Sequence, residues 1–100
     1  MARLDVRRLK SKGPISLVLE IQSDLMRDLP TVLVAPLIET KALKPFSLIN
    51  PLVEVGGRQM AVRLEQMVGA PAARLGEPVV SLRGIEHEVS VALGRLLFYA

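Results

Sequence analysis

Residues 50–67 read NPLVEVGGRQMAVRLEQM, and the fold turns on how this stretch is read. Two runs rich in strand-forming residues flank Gly56-Gly57, a pair that supplies the positive φ angles of a two-residue hairpin turn. The stretch therefore reads as strand, tight turn, strand.

Toward the N-terminus the same period continues. In ISLVLEI (15–21), Ile15, Leu17, Leu19 and Ile21 share one face, the mark of a half-buried strand. ARLDV (2–6) alternates weakly, and KSKGP (10–14) between the two is a turn by its Gly and Pro, so a first hairpin with a basic tip is expected. TVLVAPLI (31–38) is too short for a typical helix and reads as a buried strand, while KALKPFSLIN (41–50) reads as a loop. GAPAARLGEPVVSL (69–82) supplies turn residues and room for one more short strand.

The period changes in RGIEHEVSVALGRLLFYA (83–100). Ile85, Val89, Ala92, Leu93, Leu96 and Ala100 recur at steps of three and four and gather on one side of a helix, with Glu86 and Glu88 in the first turn where the helix dipole favours acids. The opposite side carries His87, Val91, Gly94 and Phe98, with Leu97 at the boundary. A helix that covers a single core should be polar there. This one is apolar on both sides, which points to a second subunit or a partner packing on Val91, Gly94, Leu97 and Phe98; the alternative, a helix sandwiched inside its own domain, needs a layer that a strand-rich chain of this length has little to supply.

Composition sets the limits. One hundred residues make one domain (1–100), and a hydrophobic content of 50% with mean hydropathy +0.37 suffices for a core built from Leu, Val, Ile and Met. Cysteine is absent, which removes disulfides and thiolate chemistry. The charged start MARLDVRRLK is no secretory signal, and VLVAPLI (32–38) is far shorter than the ~20 residues of a membrane span. A soluble, cytoplasmic protein without membrane contact is expected. The basicity is local, in Arg3, Arg7, Arg8, Lys10 and Lys12, a patch that is either a solvated hairpin end or a site that attracts nucleic acid or an acidic protein partner.

Catalytic readings find little footing. The lone His87 in EHE has neighbours about 100° away around a helix, so no metal site converges. Adjacent Ser23 and Asp24 cannot both serve His87 in triad order. No phosphate loop or dinucleotide fingerprint occurs, and no cofactor is expected. In IQSDLM (21–26) the polar residues are ordinary turn formers, but the Leu25-Met26 pair in a loop is either tucked onto the core or part of a binding patch.

The order of these pieces, SLVLEIQSDLMRDLPTVLVAPL, then INPLVEVGGRQMAVRLEQMVGAPAARLGEPVVSL, then a terminal helix with an aromatic cluster, resembles the CcdB family of toxins. The resemblance covers residues 15–37 and 49–100. It implies a mainly β, SH3-like barrel with a C-terminal helix, paired as a homodimer about that helix. It also implies a toxin that binds the A subunit of DNA gyrase and traps the enzyme on cleaved DNA. A CcdA-type antitoxin would neutralise it, and DNA would be contacted only through the toxin–antitoxin complex that represses the operon.

Carried onto this chain, the family's gyrase contacts fall on Leu25 and Met26 and on the helix end Gly94, Leu97, Phe98, Tyr99 and Ala100. Aligned without gaps, Phe98 stands where the family has Trp, Tyr99 where it has Gly, and Ala100 where it has Ile; a slip of one residue puts Tyr99 on the Trp instead. A phenyl ring offers a weaker face than an indole to an arginine, a contact of about 0.5–2 kcal/mol. The antitoxin's acidic tail is expected at Arg7, Arg8, Lys10 and Lys12, and the dimer interface at Val91, Gly94, Leu97 and Phe98. Two other functions stay open at this point. One is an endoribonuclease of the MazF or Kid type on the same barrel, and the other an inactive homologue that serves as antitoxin-binding co-repressor.

Overall fold

Gly56 and Gly57 take φ angles of +60° and +78°, and the strands on either side close onto each other as the sequence requires. β4 (Leu52–Val55) pairs antiparallel with β5 (Arg58–Val62), Val55 opposite Arg58 and Leu52 opposite Ala61. The computed structural model describes residues 2–10, 13 and 17–98. Around this hairpin stand β1 (Asp5–Leu9), β2 (Leu17–Glu20), β3 (Thr31–Glu39), β6 (Val68–Pro71), β7 (Leu75–Ser81) and the helix α1 (Glu86–Leu97).

The seven strands make one mainly antiparallel sheet, β4-β5-β3-β2-β1-β7 with β6 also on β3, curled into a half-barrel against α1. β3 is the long shared strand. It faces β5 through Leu37, Ile38 and Glu39, and β6 through Thr31 to Val34. Leu37 stands opposite Val62 but Val34 opposite Val68, so three steps along β3 are matched by six on the facing chain. The surplus loops out as the 3-10 turn Leu64–Gln66, a bulge that bends the sheet and drops Leu64 into the core. Pro36 sits where β3 changes partners from β6 to β5, a place in a central strand that does not demand its missing N–H.

Both faces of the curled sheet are filled. Leu4, Leu19, Ile21, Leu37, Val62 and Leu64 are among those that pack with Val89 and Ala92 of α1, and Ile85, Leu93 and Leu96 join them from the same side of the helix. That is the helix face the spacing predicts. Val18, Val34, Ala70 and Leu75 form a second cluster on the other face. The alternation in β2 therefore holds for Leu17, Leu19 and Ile21, but Val18 and Glu20 are buried too, because β6 and β7 cover their side. Ile15 and most of the KSKGP turn lie outside the described residues, while the antiparallel pairing of Val6 with Leu19 agrees with a hairpin there.

Residues 69–82 hold more strand than the sequence suggests. β7 runs seven residues and pairs with β1, with register shifts on either side of Arg7. Its Pro78 is tolerated because β7 is an edge strand.

Candidate partner-binding surface

After β2 the chain leaves the sheet as QSDLM, and each polar residue of that motif has a structural task. The Gln22 carboxamide donates to the Met26 carbonyl at 2.9 Å and the Thr31 carbonyl at 3.3 Å, and accepts from the Leu33 N–H at 3.1 Å. Ser23 caps the 3-10 turn Asp24–Met26, its hydroxyl accepting from the Leu25 N–H at 3.2 Å. The turn buries none of its three residues, and Leu25 stands 89% exposed with Met26 at 51%. Of the two sequence readings for this pair, the structure takes the exposed one.

Asp24 ties the turn to the rest of the surface. Its carboxylate accepts from the Arg3 backbone N–H at 2.9 Å, bonds the Arg27 guanidinium, and lies 3.9 Å from Arg83. The Arg27 hydrogen bond, followed by the Arg3 N–H, holds the Asp24 carboxyl below the ordinary carboxylate range. The Arg3 side chain reaches on to Glu86 in the first turn of α1. The next residue, Leu4, adopts a left-handed φ of 67° with its side chain buried.

At the far end of α1, Leu97 is 57% and Phe98 80% exposed, and Val91 and Gly94 are half-buried on the same outward side. Tyr99 and Ala100 lie outside the described residues. Twelve residues of helix separate the two ends by about 18 Å. Within one subunit, the Leu25-Met26 tip is therefore coupled to the start of α1 and the Phe98 ring belongs to its end.

Beside α1 lies a groove of about 290 Å³ whose lining includes Leu48 and Pro51 from the 41–50 loop and its edge, and His87, Val91 and Arg95 from the helix. Arg95 donates to the Leu48 carbonyl at 3.1 Å. Beneath the loop, fully buried Arg63 donates to Asn50 Oδ1 at 2.6 Å and to the Lys44 carbonyl at 3.1 Å. The Phe46 ring centre lies 5.7 Å from its guanidinium carbon. Nothing in the spacing of the sequence marks Arg63 as interior, since an arginine after a strand usually reads as surface.

The basic tip divides. Arg8 and Lys10 are exposed, and Lys12 lies outside the described residues. Arg7, expected with them at an acidic partner, is 3% exposed and faces inward, which is a correction to that reading. β7 crosses over it: the Arg7 guanidinium donates to the Leu75 carbonyl at 3.4 Å and to the Gly76 carbonyl, and meets Glu20 Oε1 at 3.7 Å. Burial pushes the Glu20 carboxyl above its ordinary range, with the Arg7 charge opposing that shift. Arg8 and Arg58 flank an open depression of about 320 Å³ floored by Leu17, Val55 and Met60.

Among the described residues no three His, Asp or Glu side chains gather as metal ligands, and no helix is long and apolar enough to cross a membrane. The fold and its surfaces thus define a small β half-barrel with one terminal helix that presents apolar side chains outward. Residues 3–98 match the family model described as CcdB protein, and the chain belongs to the CcdB family. That membership places it among the toxins of type II toxin–antitoxin systems. A comparison with curated proteins finds no match.

Proposed function

We propose that this protein is a gyrase-directed toxin that acts by binding rather than by chemistry. The observation that carries the reading is the outward side of α1: Phe98 at 80% and Leu97 at 57% exposure on a helix whose other side is locked into the core by Val89 and Ala92. An isolated aromatic so exposed gains nothing for its own fold and gains most when a partner covers it.

The two apolar sites fit one assembly. Pairing of two chains along Val91, Gly94, Leu97 and Phe98 sets two helix ends side by side about a two-fold axis. The Leu25-Met26 tips, one near the start of each helix, add a second apolar contact, and Gly94, Leu97, Phe98, Tyr99 and Ala100 complete the surface offered to the gyrase A subunit. A ligand that binds the cleaved gyrase–DNA complex more tightly than the resealed one shifts that equilibrium toward the break, with no catalytic group of its own. Exposed Arg8 and Lys10, with Lys12, serve the acidic tail of a CcdA-type antitoxin, and DNA is reached only through that complex. The cytoplasm, where gyrase works, is the compartment this reading requires.

The test is to add the pure protein to gyrase and supercoiled plasmid, with an RNA substrate in parallel. Linear DNA after protein denaturation is the expected product. Cut RNA, or plasmid that stays intact, contradicts the reading.

A further inference from the structure

The Leu25-Met26 tip poses a physical problem. A three-residue 3-10 turn with no buried side chain has no packing to hold it, and 3-10 hydrogen bonds are individually poor. An apolar pair on a loose loop is a weak ligand, because association must then order the loop as well as bury the side chains.

What holds the turn is polar: Ser23 caps it, Asp24 ties it to Arg3 and Arg27, and Gln22 alone among these side chains joins it to the start of β3. Gln22 uses three hydrogen-bonding positions of its amide at once: both protons go to the Met26 and Thr31 carbonyls, and the oxygen takes the Leu33 N–H. Met26 ends the 3-10 turn in the middle of the excursion between β2 and β3, and Thr31 and Leu33 lie at the start of β3. The backbone N–H groups of Ile21 and Gln22 already share the Leu33 carbonyl, at 2.9 and 3.3 Å, so the side chain extends that pairing beyond the last residue of β2. The Gln22 side chain acts as a short surrogate strand that closes the base of the loop and fixes the last carbonyl of the turn.

We infer that Gln22 is the positioning residue of this contact: without touching the partner, it pre-orders Leu25 and Met26 for capture. The inference rests on the reading that a partner takes those two side chains, and deepens it by assigning their presentation to a residue outside the contact.

Gln22→Met keeps the length of the side chain and removes all three bonds. Two measurements on the full chain decide the matter. In hydrogen exchange, the amides of residues 25–31 are expected to exchange about tenfold faster in Gln22→Met, with the core strands and α1 unchanged. In calorimetry against the gyrase A subunit, Gln22→Met is expected to lose about tenfold in affinity on its own, but less than about twofold in a Leu25→Ala/Met26→Ala background. A residue that merely supported the fold would cost the same in both backgrounds, and so would one that touched the partner. That result, unchanged exchange over 25–31, or a loosened turn with full affinity, overturns the inference. Should Gln22→Met loosen the whole chain, Gln22→Glu, which keeps the acceptor for the Leu33 N–H, is expected to loosen 25–31 alone; general loosening there too overturns it. If the parent protein fails to bind gyrase, the proposed function falls, while the exchange comparison still decides whether Gln22 orders the tip.

Discussion

Arg63 donates to Asn50 at 2.6 Å in the interior, and this one bond joins the end of the 41–50 loop to the bulge between β5 and β6. Asn50 returns the connection by donating to the Val62 carbonyl at 3.1 Å and to Glu65 at 2.7 Å. The loop that walls the groove beside α1 is therefore held from below by a buried polar network. Replacing Arg63 by Ala is expected to destabilise the protein by about 2–4 kcal/mol through the cavity and the Lys44 carbonyl left without its donor. Denaturant unfolding checks this, and protease cutting within 41–50 is expected to rise in parallel.

The central hairpin turn yields a simpler test. A Cβ added at Gly56 or Gly57 would meet no atom within 4 Å, so substitution there is opposed by backbone conformation alone. Gly57→Ala is expected to cost about 1 kcal/mol, and Gly56→Asn, suited to a left-handed turn residue, only a few tenths. Thermal unfolding of the two variants should rank them in that order.

Glu20 gives the stability a pH dependence of definite sign. Burial raises its folded pKa above the ordinary 4.5, so the folded state holds the proton more tightly than the unfolded chain. Its contribution is thus full below the unfolded pKa and is lost as pH rises through the folded one. Asp24 acts oppositely and in a different window, contributing above the ordinary 3.8 and losing that contribution as pH falls through its depressed value. In unfolding curves across pH, Glu20→Gln is expected to remove the decline that begins above pH 4.5, and Asp24→Asn to flatten the loss below pH 3.8.

The basic residues of β1 and its end separate by role. Arg8→Ala and Lys10→Ala are expected to leave stability within about 0.5 kcal/mol while slowing association with an acidic antitoxin tail, most visibly at low salt. Arg7→Ala strands the Glu20 carboxylate and is expected to destabilise the fold by about 3 kcal/mol. Stopped-flow association over a salt series, set beside denaturant midpoints, tells the two classes apart.

Much of this architecture is legible in the sequence where one period dominates. The Gly56-Gly57 hairpin, the strand at 31–39 and the core side of α1 each follow from a local pattern that tertiary packing merely completes. The burial of Arg7 is hidden because it depends on β7, a strand masked by Gly76 and Pro78, curling over β1 from far along the chain. Gln22 and Arg63 are hidden for a related reason. Their importance lies in side-chain bonds to backbone carbonyls, which leave no period in the chain. The exposed sites are read more easily, since Leu25, Leu97 and Phe98 are apolar where a self-contained domain would be polar.

The most direct test of the central claim is calorimetry of Phe98→Ala and the parent against the gyrase A subunit, with thermal unfolding of both. The ring is 80% exposed on its own chain, so the account predicts that each chain keeps its fold, any loss of thermal stability coming only from the pairing of the two helix ends. Binding is expected to weaken by about 2 kcal/mol, roughly thirtyfold in dissociation constant. Equal affinities, or a variant that loses its fold along with its binding, would contradict the assignment of this helix end to a partner.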